Sequence, residues 1–301
     1  MESTFEARIA HLAANPPSSL PTATPEETRE LFTRLAGRGY LKLRHVLVQL
    51  PDDRDSRTST VGTMMSQRKH RALLLYLLIL TGWSWLSRRK VPLPANAWIR
   101  ALTAPADVKK ALTWSPSTLS RALGDLETLE LIKTRRRVRG RTHLVPRRED
   151  GVEEYTIPEG LTDRYNTYFT LPDAFWNTGL FAKLTFPGLA MLLIIAKETS
   201  QKAEMYIPHD QGPDWYGISA GTVKNGLKNL RDLDLLDERP EWRKAPLSAT
   251  GRTLRTWYSL RGEYSNGARE QQRKQSQSER TERITKAPTV TQQPDGEVES
   301  A

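Results

Sequence analysis

The sequence contains no cysteine. This absence excludes disulfide bonds, thiol nucleophiles and every zinc site that uses cysteine ligands. Histidine is scarce, with five residues scattered along the chain. Neither the H-E-x-x-H zinc motif nor a phosphate-binding P-loop occurs. We therefore expect no metal, no cofactor and no catalytic residue.

Long hydrophobic runs are also lacking. The longest apolar stretch, residues 72–80, falls well short of the roughly twenty residues that a membrane-spanning helix needs. The first residues carry neither the basic nor the apolar part of a secretory signal. We expect a cytoplasmic protein that does not interact with a membrane.

Two short matches to hydrolase motifs lack their partner residues. Residues 217–221 fit the G-x-S-x-G pattern, but the last histidine, His209, precedes them, and this type of triad needs a later one. Residues 66–69 fit S-x-x-K without the S-D-N and K-T-G elements. The sequence therefore favours a protein that is not an enzyme.

Positive charge is in excess, with 45 Lys and Arg against 35 Asp and Glu and a formal net charge of +10. This balance favours a polyanionic partner. The charge is concentrated in residues 133–148, which contain basic side chains and no acidic one. A β-hairpin of this composition would repel itself in the absence of a polyanion.

The middle of the chain repeats itself. Residues 115–132, the first copy, begin with Ser115 and carry leucines at helical spacing up to a terminal apolar pair. Residues 219–236, the second copy, begin with Ser219 and carry apolar residues at the same positions. In each copy the serine predicts a helix N-cap, and the spacing predicts one buried helix face.

Other elements surround each copy. Residues 40–43 and 168–171 are predicted strands, and residues 67–83 and 184–199 are predicted apolar helices. The first copy leads into a predicted hairpin over residues 132–145, and the second into a longer one that ends in residues 253–260. Each half of the chain is therefore predicted to contain an apolar helix, a serine-capped helix and a β-hairpin, in that order.

This order resembles the winged helix-turn-helix superfamily of DNA-binding proteins. The segments that resemble the recognition helix of many bacterial regulators are WSPSTLSRALGDLETLELIKTRRR and YGISAGTVKNGLKNLRDLDLLDERP. The chain departs from the pattern at Glu130 and Asp234, where such proteins usually have a glycine that ends the helix in a left-handed conformation. Residues 208–217 also leave room for only a short second helix.

The resemblance implies a mainly α, α+β fold with two tandem winged helix-turn-helix domains and flexible tails. The expected segments are a flexible region with a short helix at 1–39, a first winged domain at 40–150, a linker at 151–167, a second winged domain at 168–262 and a disordered tail at 263–301. The short helix is predicted at residues 27–36.

In such domains the third helix enters the major groove and turns its first residues to the base edges. Arginine can bind guanine through two hydrogen bonds, and hydroxyl groups can contact phosphates. Arginines of the hairpin can grip phosphates or enter a minor groove. The expected DNA-binding residues are Ser117, Thr118, Ser120, Arg121, Arg135, Arg136, Arg137, Arg139, Arg141, Arg147, Arg148, Thr222, Lys224, Asn225 and Lys228.

We expect a sequence-specific regulator of transcription that binds double-stranded DNA in the cytoplasm, on the nucleoid. A replication initiator of a plasmid or mobile element is an alternative, because such proteins also resemble two winged units in one chain. A protein-binding scaffold is a second alternative. The sequence leaves open a homodimer, and also whether the second unit binds DNA or protein. It identifies no small-molecule ligand.

Tryptophan is frequent, with eight residues. Such rings can stack on the bases of single-stranded nucleic acid. Most of them flank apolar helices, however, which favours packing inside the protein. We expect packing roles for Trp83, Trp85, Trp98, Trp114, Trp176, Trp215 and Trp242.

Overall fold

The computed structural model describes residues 21–51, 59–134, 141, 143–160, 163–208 and 211–286, which form a mixed α+β fold. The helices are α1 (Pro25–Ala36), α2 (Thr60–Ser66), α3 (His70–Leu86), α4 (Ala95–Leu102), α5 (Pro116–Thr128), α6 (Ala174–Asn177), α7 (Leu180–Lys183), α8 (Phe186–Glu198), α9 (Gly212–Tyr216), α10 (Ala220–Asp232) and α11 (Asn266–Lys286). The strands are β1 (Tyr40–Arg44), β2 (Ile132–Thr134), β3 (Leu144–Pro146), β4 (Tyr168–Pro172), β5 (Met205–Tyr206), β6 (Leu236–Lys244) and β7 (Arg252–Leu260). The predicted α+β class is confirmed.

The described residues divide into two units, each built from separate stretches of the chain. Unit 1 comprises the described parts of residues 21–36, 64–156 and 174–185. Unit 2 comprises those of residues 37–63, 157–173 and 186–286. The predicted boundaries at residues 40, 150, 168 and 262 do not coincide with these units.

Unit 1 is organised around α3, in which residues 72–80 are all buried. The predicted helix at residues 27–36 is confirmed as α1, and it packs on this core through Phe32. The Phe32 ring meets Trp85 and Trp98 edge to face, with centroid distances of 5.1 and 5.5 Å. The indole N–H of buried Trp176 donates to Thr81 Oγ1 at 3.0 Å. These tryptophans have the packing role that the sequence predicts.

Unit 2 is organised around the crossing of α8 and α10. Residues 189–196 of α8 are buried, and α10 crosses this helix at two glycines. A Cβ on Gly226 would lie 2.4 Å from the Pro187 carbonyl oxygen, and a Cβ on Gly188 would lie 2.0 Å from Asn229 Oδ1. At Gly226 the backbone of α8 leaves no room for a side chain, and at Gly188 the Asn229 side chain occupies the space.

The strands β1 and β4 explain why unit 2 is discontinuous. They pair antiparallel, with Tyr40 opposite Pro172 and Arg44 opposite Tyr168. From the sequence, each strand is expected at the start of its own domain. The structure corrects this assignment, because the two strands form one two-stranded sheet within unit 2.

The C-terminal region also differs from its prediction, because α11 occupies residues 266–286 of the expected disordered tail. This helix is anchored by Arg269, which is 3% exposed. Its guanidinium donates to the carbonyl oxygen of Ala196 at 2.9 Å and to the hydroxyl of Thr199 at 2.8 Å. These bonds satisfy carbonyl and hydroxyl groups at the end of α8. Residues 287–301 lie outside the described residues.

Candidate nucleic-acid interface

The first copy forms α5, and its start is fixed by a reciprocal cap. The Ser115 hydroxyl accepts a hydrogen bond from the Thr118 backbone N–H at 3.2 Å, and the Thr118 hydroxyl accepts one from the Ser115 N–H at 2.8 Å. Pro116 occupies the first helical position, where its missing N–H leaves no bond unmade. The Thr118 hydroxyl, a predicted DNA contact, therefore serves the helix cap in this structure.

The second copy forms α10 and begins in the same way. The Ser219 hydroxyl accepts a hydrogen bond from the Thr222 N–H at 3.1 Å. The Thr222 hydroxyl lies 3.0 Å from that of Ser219, so this predicted DNA contact lies beside the cap serine. Before the cap, α9 has five residues, and Gly217, with a φ of 66°, follows as its C-cap. The short second helix predicted for this copy is confirmed.

Both helices end in the same left-handed turn, although glycine is missing there. The φ angles of Glu130 and Asp234 are 56° and 53°. After each turn a backbone bond returns to the helix, from Leu131 N to Leu126 O and from Leu235 N to Leu230 O, both at 2.9 Å. The two copies therefore adopt the helix end that glycine usually provides in this pattern.

Each copy then enters an antiparallel ribbon. In the first ribbon, β2 pairs with β3 and Ile132 lies opposite Pro146. In the second ribbon, β6 pairs with β7 and Leu236 lies opposite Leu260. The second ribbon also carries β5 on the outer side of β7. Each capped helix is thus followed directly by a strand pair, as the sequence predicts.

Replacing Glu130 by glycine is expected to stabilise unit 1, because a left-handed residue with a Cβ costs about 1 kcal/mol. The Glu130 carboxylate is 3.8 Å from the Arg147 guanidinium. This is a surface ion pair, and such pairs contribute little to stability. The expected gain in the free energy of unfolding is about 1 kcal/mol, measured by urea denaturation. Asp234→Gly serves as the comparison and should gain less, because Asp234 is bound to Arg261 and aspartate tolerates this conformation.

The outward face of α5 is polar. Ser117, Ser120 and Arg121 are exposed, whereas Leu119, Ala122 and Leu126 are buried in unit 1. A groove of about 290 Å³ runs beside this face and is lined by Arg121, Thr118 and residues 67–71. The helix is held there by an ion pair of 2.6 Å between Asp125 and Lys69.

The same groove contains basic residues that the sequence analysis misses. Arg68 and Arg71 line it next to Arg121. Burial lowers the pKa of the adjacent His70 to about 4, so this ring is neutral at pH 7 and adds no charge. A second missed group is the exposed run Arg88, Arg89 and Lys90. Clusters of basic residues at 68–71 and 88–90 are visible in the sequence, but they lie outside the repeat that guided the prediction.

The outward face of α10 is polar in the same way. Lys224, Asn225 and Lys228 are exposed, and Val223, Leu227 and Leu230 are buried in unit 2. Lys228 forms an ion pair of 2.5 Å with Asp232. Exposed pairs of this kind contribute about 0–1 kcal/mol, so the Lys228 ammonium can exchange its carboxylate for a phosphate at little cost.

Of the arginines predicted to bind DNA in and next to the first ribbon, only some belong to the described residues. Arg135, Arg136, Arg137 and Arg139 lie outside the described residues. Arg141 is half-buried and donates to the Pro92 carbonyl oxygen at 3.4 Å, beside the exposed run at residues 88–90. Arg147 donates to the Val152 carbonyl oxygen at 2.9 Å.

Arg148 is buried and paired within unit 1, which does not fit the contact with DNA that the sequence predicts. It is 9% exposed, and its guanidinium binds Asp150 and Glu153, each at 2.7 Å. The hydrogen bonds from Arg148 hold the pKa of the Asp150 carboxyl below its usual range, against the effect of burial. The nearby carboxylates in the sequence were the signal for this structural role.

Acidic side chains in and beside the second ribbon form ion pairs with arginines. Arg231 binds Glu238 at 2.6 Å, Arg239 binds Glu204 at 2.6 Å, and Arg261 binds Asp237 at 2.6 Å. Hydrogen bonds from Arg239 lower the pKa of Glu204. Several of these bonds are bidentate, which fixes the guanidinium groups in the fold rather than leaving them for a ligand.

Comparisons with protein-family models, with curated proteins and with solved structures found no match. The geometry of the two copies therefore carries the functional argument. In the part of the chain that the structure describes, no helix has the length and hydrophobicity needed to cross a membrane. The same residues include no group of three or more His, Asp or Glu side chains that could hold a metal ion.

Proposed function

We propose that the protein is a sequence-specific regulator of transcription that binds double-stranded DNA through α5 and α10. The observation that carries the proposal is the duplication of one arrangement: a serine-capped helix, a left-handed turn and an antiparallel ribbon. In both copies one helix face is buried and the opposite face is polar and exposed. A helix so presented fits the width of the major groove.

The order of elements supports two winged helix-turn-helix units. In unit 2 the order is α8, β5, α9, α10 and the second ribbon, with β5 paired to β7. In unit 1 it is α3, α4, α5 and the first ribbon. In this interpretation α5 and α10 are the recognition helices, and the helices before them are their supports.

The exposed side chains are of two kinds, those that contact bases and those that contact phosphates. Arg121, which is exposed on α5, binds guanine through two hydrogen bonds, and Asn225, which is exposed on α10, binds adenine in the same manner. Lys224 and Lys228 contact phosphates, as do the hydroxyls of Ser117 and Ser120. Base contacts set the sequence preference, and phosphate contacts set the register on the duplex.

Selection of duplexes from a random pool by the full-length protein tests the proposal. One motif should be enriched, and Arg121→Ala should relax the preference at a single base pair of that motif. A lost bidentate contact should weaken binding to the motif about tenfold, since such a contact is worth ~1–3 kcal/mol. Lys274→Gln on α11 serves as the control and should select the wild-type motif. Failure of the wild-type protein to enrich any sequence would contradict the proposal.

A further inference from the structure

The end of the second ribbon exposes two large apolar side chains that lie side by side. Trp242 is 68% exposed and Leu254 is 50% exposed. They are directly opposite each other in the antiparallel pairing, so their side chains share one face of the ribbon. That face begins with the buried Leu236 and Leu260 and continues outward beyond the core.

Trp242 differs from Trp257, which lies on the other face of the ribbon and is held by contacts within it. The Trp257 indole N–H donates to Glu241 Oε2 at 2.6 Å, and its ring has Arg239 and Arg243 within 6 Å. Contacts within the ribbon account for Trp257. The packing role that the sequence analysis gives to Trp242 is therefore wrong, because its ring extends into solvent.

The charges next to this apolar pair are unfavourable for the isolated protein. Lys244 lies directly opposite Arg252, one step farther along the same face. Like charges in directly opposed positions destabilise a strand pair. The sequence from Trp242 to Leu254 contains no acidic residue that could offset them. A polyanion bound at this end of the ribbon would remove the repulsion.

We propose that the end of the second ribbon enters the minor groove of DNA and places Trp242 and Leu254 against the bases. Lys244 and Arg252 then lie on the two flanking phosphate backbones. Apolar side chains inserted in this way partly unstack a base step and bend the duplex. This inference rests on the proposed function and adds a bending contact to it.

Full-length protein and an end-labelled duplex carrying the selected motif test the inference. Anisotropy measures affinity, and energy transfer between the duplex ends measures bending. The wild-type protein should shorten the end-to-end distance. Trp242→Ala should abolish the bend and weaken binding about tenfold, the scale of one base–aromatic stack. Trp242→Phe should retain most of both effects.

Val152→Ser provides the control. Val152 is an apolar residue of unit 1 that is 64% exposed and does not belong to the second ribbon, so bending and affinity should both remain at the wild-type values. Circular dichroism of each variant should overlay that of the wild type, because the side chain removed in Trp242→Ala is largely in solvent.

Four outcomes would overturn the inference. Trp242→Ala could bind and bend the duplex like the wild type while Arg121→Ala weakens binding, which leaves the proposed function standing. Trp242→Ala could weaken binding to a single-stranded oligonucleotide and leave duplex binding unchanged, which would assign Trp242 and Leu254 to contacts with unpaired bases. It could dissociate a dimer in sedimentation with duplex binding unchanged, which assigns the patch to a second copy of the chain. Failure of the wild-type protein to bind any duplex would end both proposals.

Discussion

Raising the salt concentration from 50 to 200 mM should weaken duplex binding about 10³-fold. The expected slope of log K against log salt is near −5 if the protein neutralises about six phosphates. Exposed or groove-lining cations suited to this task occur in both units. They are Arg68, Arg71, Arg88, Arg89, Lys90, Lys133, Lys224 and Lys228.

Removal of one phosphate contact should change that slope by about one. Lys133→Gln removes an exposed charge from β2 and should weaken binding to all sequences alike. Lys274→Gln removes the same charge from α11, where Lys274 pairs with Glu270 at 2.9 Å, and should leave the slope unchanged. Equal slopes for the wild-type protein and Lys133→Gln would show that Lys133 of the first ribbon does not contact a phosphate. A complex insensitive to salt would contradict DNA binding altogether.

Gly226→Ala should destabilise unit 2 by about 3 kcal/mol, the upper part of the range for overpacked cores. The added Cβ would meet the Pro187 carbonyl oxygen and Met191 Cγ at 2.4 Å. One of these atoms belongs to the backbone, so α8 and α10 must separate to make room. Thermal unfolding followed by circular dichroism measures the loss. Because α10 would shift on its support, duplex affinity should fall as well.

Gly124→Ala is the matched control, because this glycine lies within α5, the helix of the first copy. A Cβ there meets no atom within 4 Å, so alanine should improve helix propensity and stabilise the protein by about 1 kcal/mol. Opposite signs for the two substitutions would show that close helix packing, rather than helix propensity, decides the effect at Gly226. A neutral Gly226→Ala would contradict the observed crossing of α8 and α10.

Local signals were sufficient to predict the copied helices. A serine, a proline in the first turn of α5 and leucines at helical spacing determine where α5 and α10 begin and which faces are buried. The left-handed turns at Glu130 and Asp234 form without glycine, and in each of them a backbone hydrogen bond returns to the helix. The missing glycines are visible in the sequence, whereas the left-handed conformation of Glu130 and Asp234 is seen only in the structure.

Long-range pairing explains what the sequence did not reveal. The partner of β1 lies far along the chain, and nothing within residues 40–43 identifies β4. The helix α11 is held by Arg269, which donates to the Ala196 carbonyl oxygen of α8, and by Gln272, which donates to the Gly39 carbonyl oxygen at 2.8 Å. The composition around these residues is polar, so the sequence gives no sign of this packing. The exposure of Trp242 follows from the length of the second ribbon, since the same alternation buries Leu236 near the helix and leaves Trp242 beyond the core.

The pairing of β1 with β4 has a consequence for synthesis on the ribosome. About 120 residues separate the two strands, so β1 waits on the order of 10 s for its partner at usual elongation rates. Residues 64–156 emerge during that interval and belong to the other unit. A truncated chain that stops at residue 156 would therefore retain an unpaired strand edge, which is a site for aggregation.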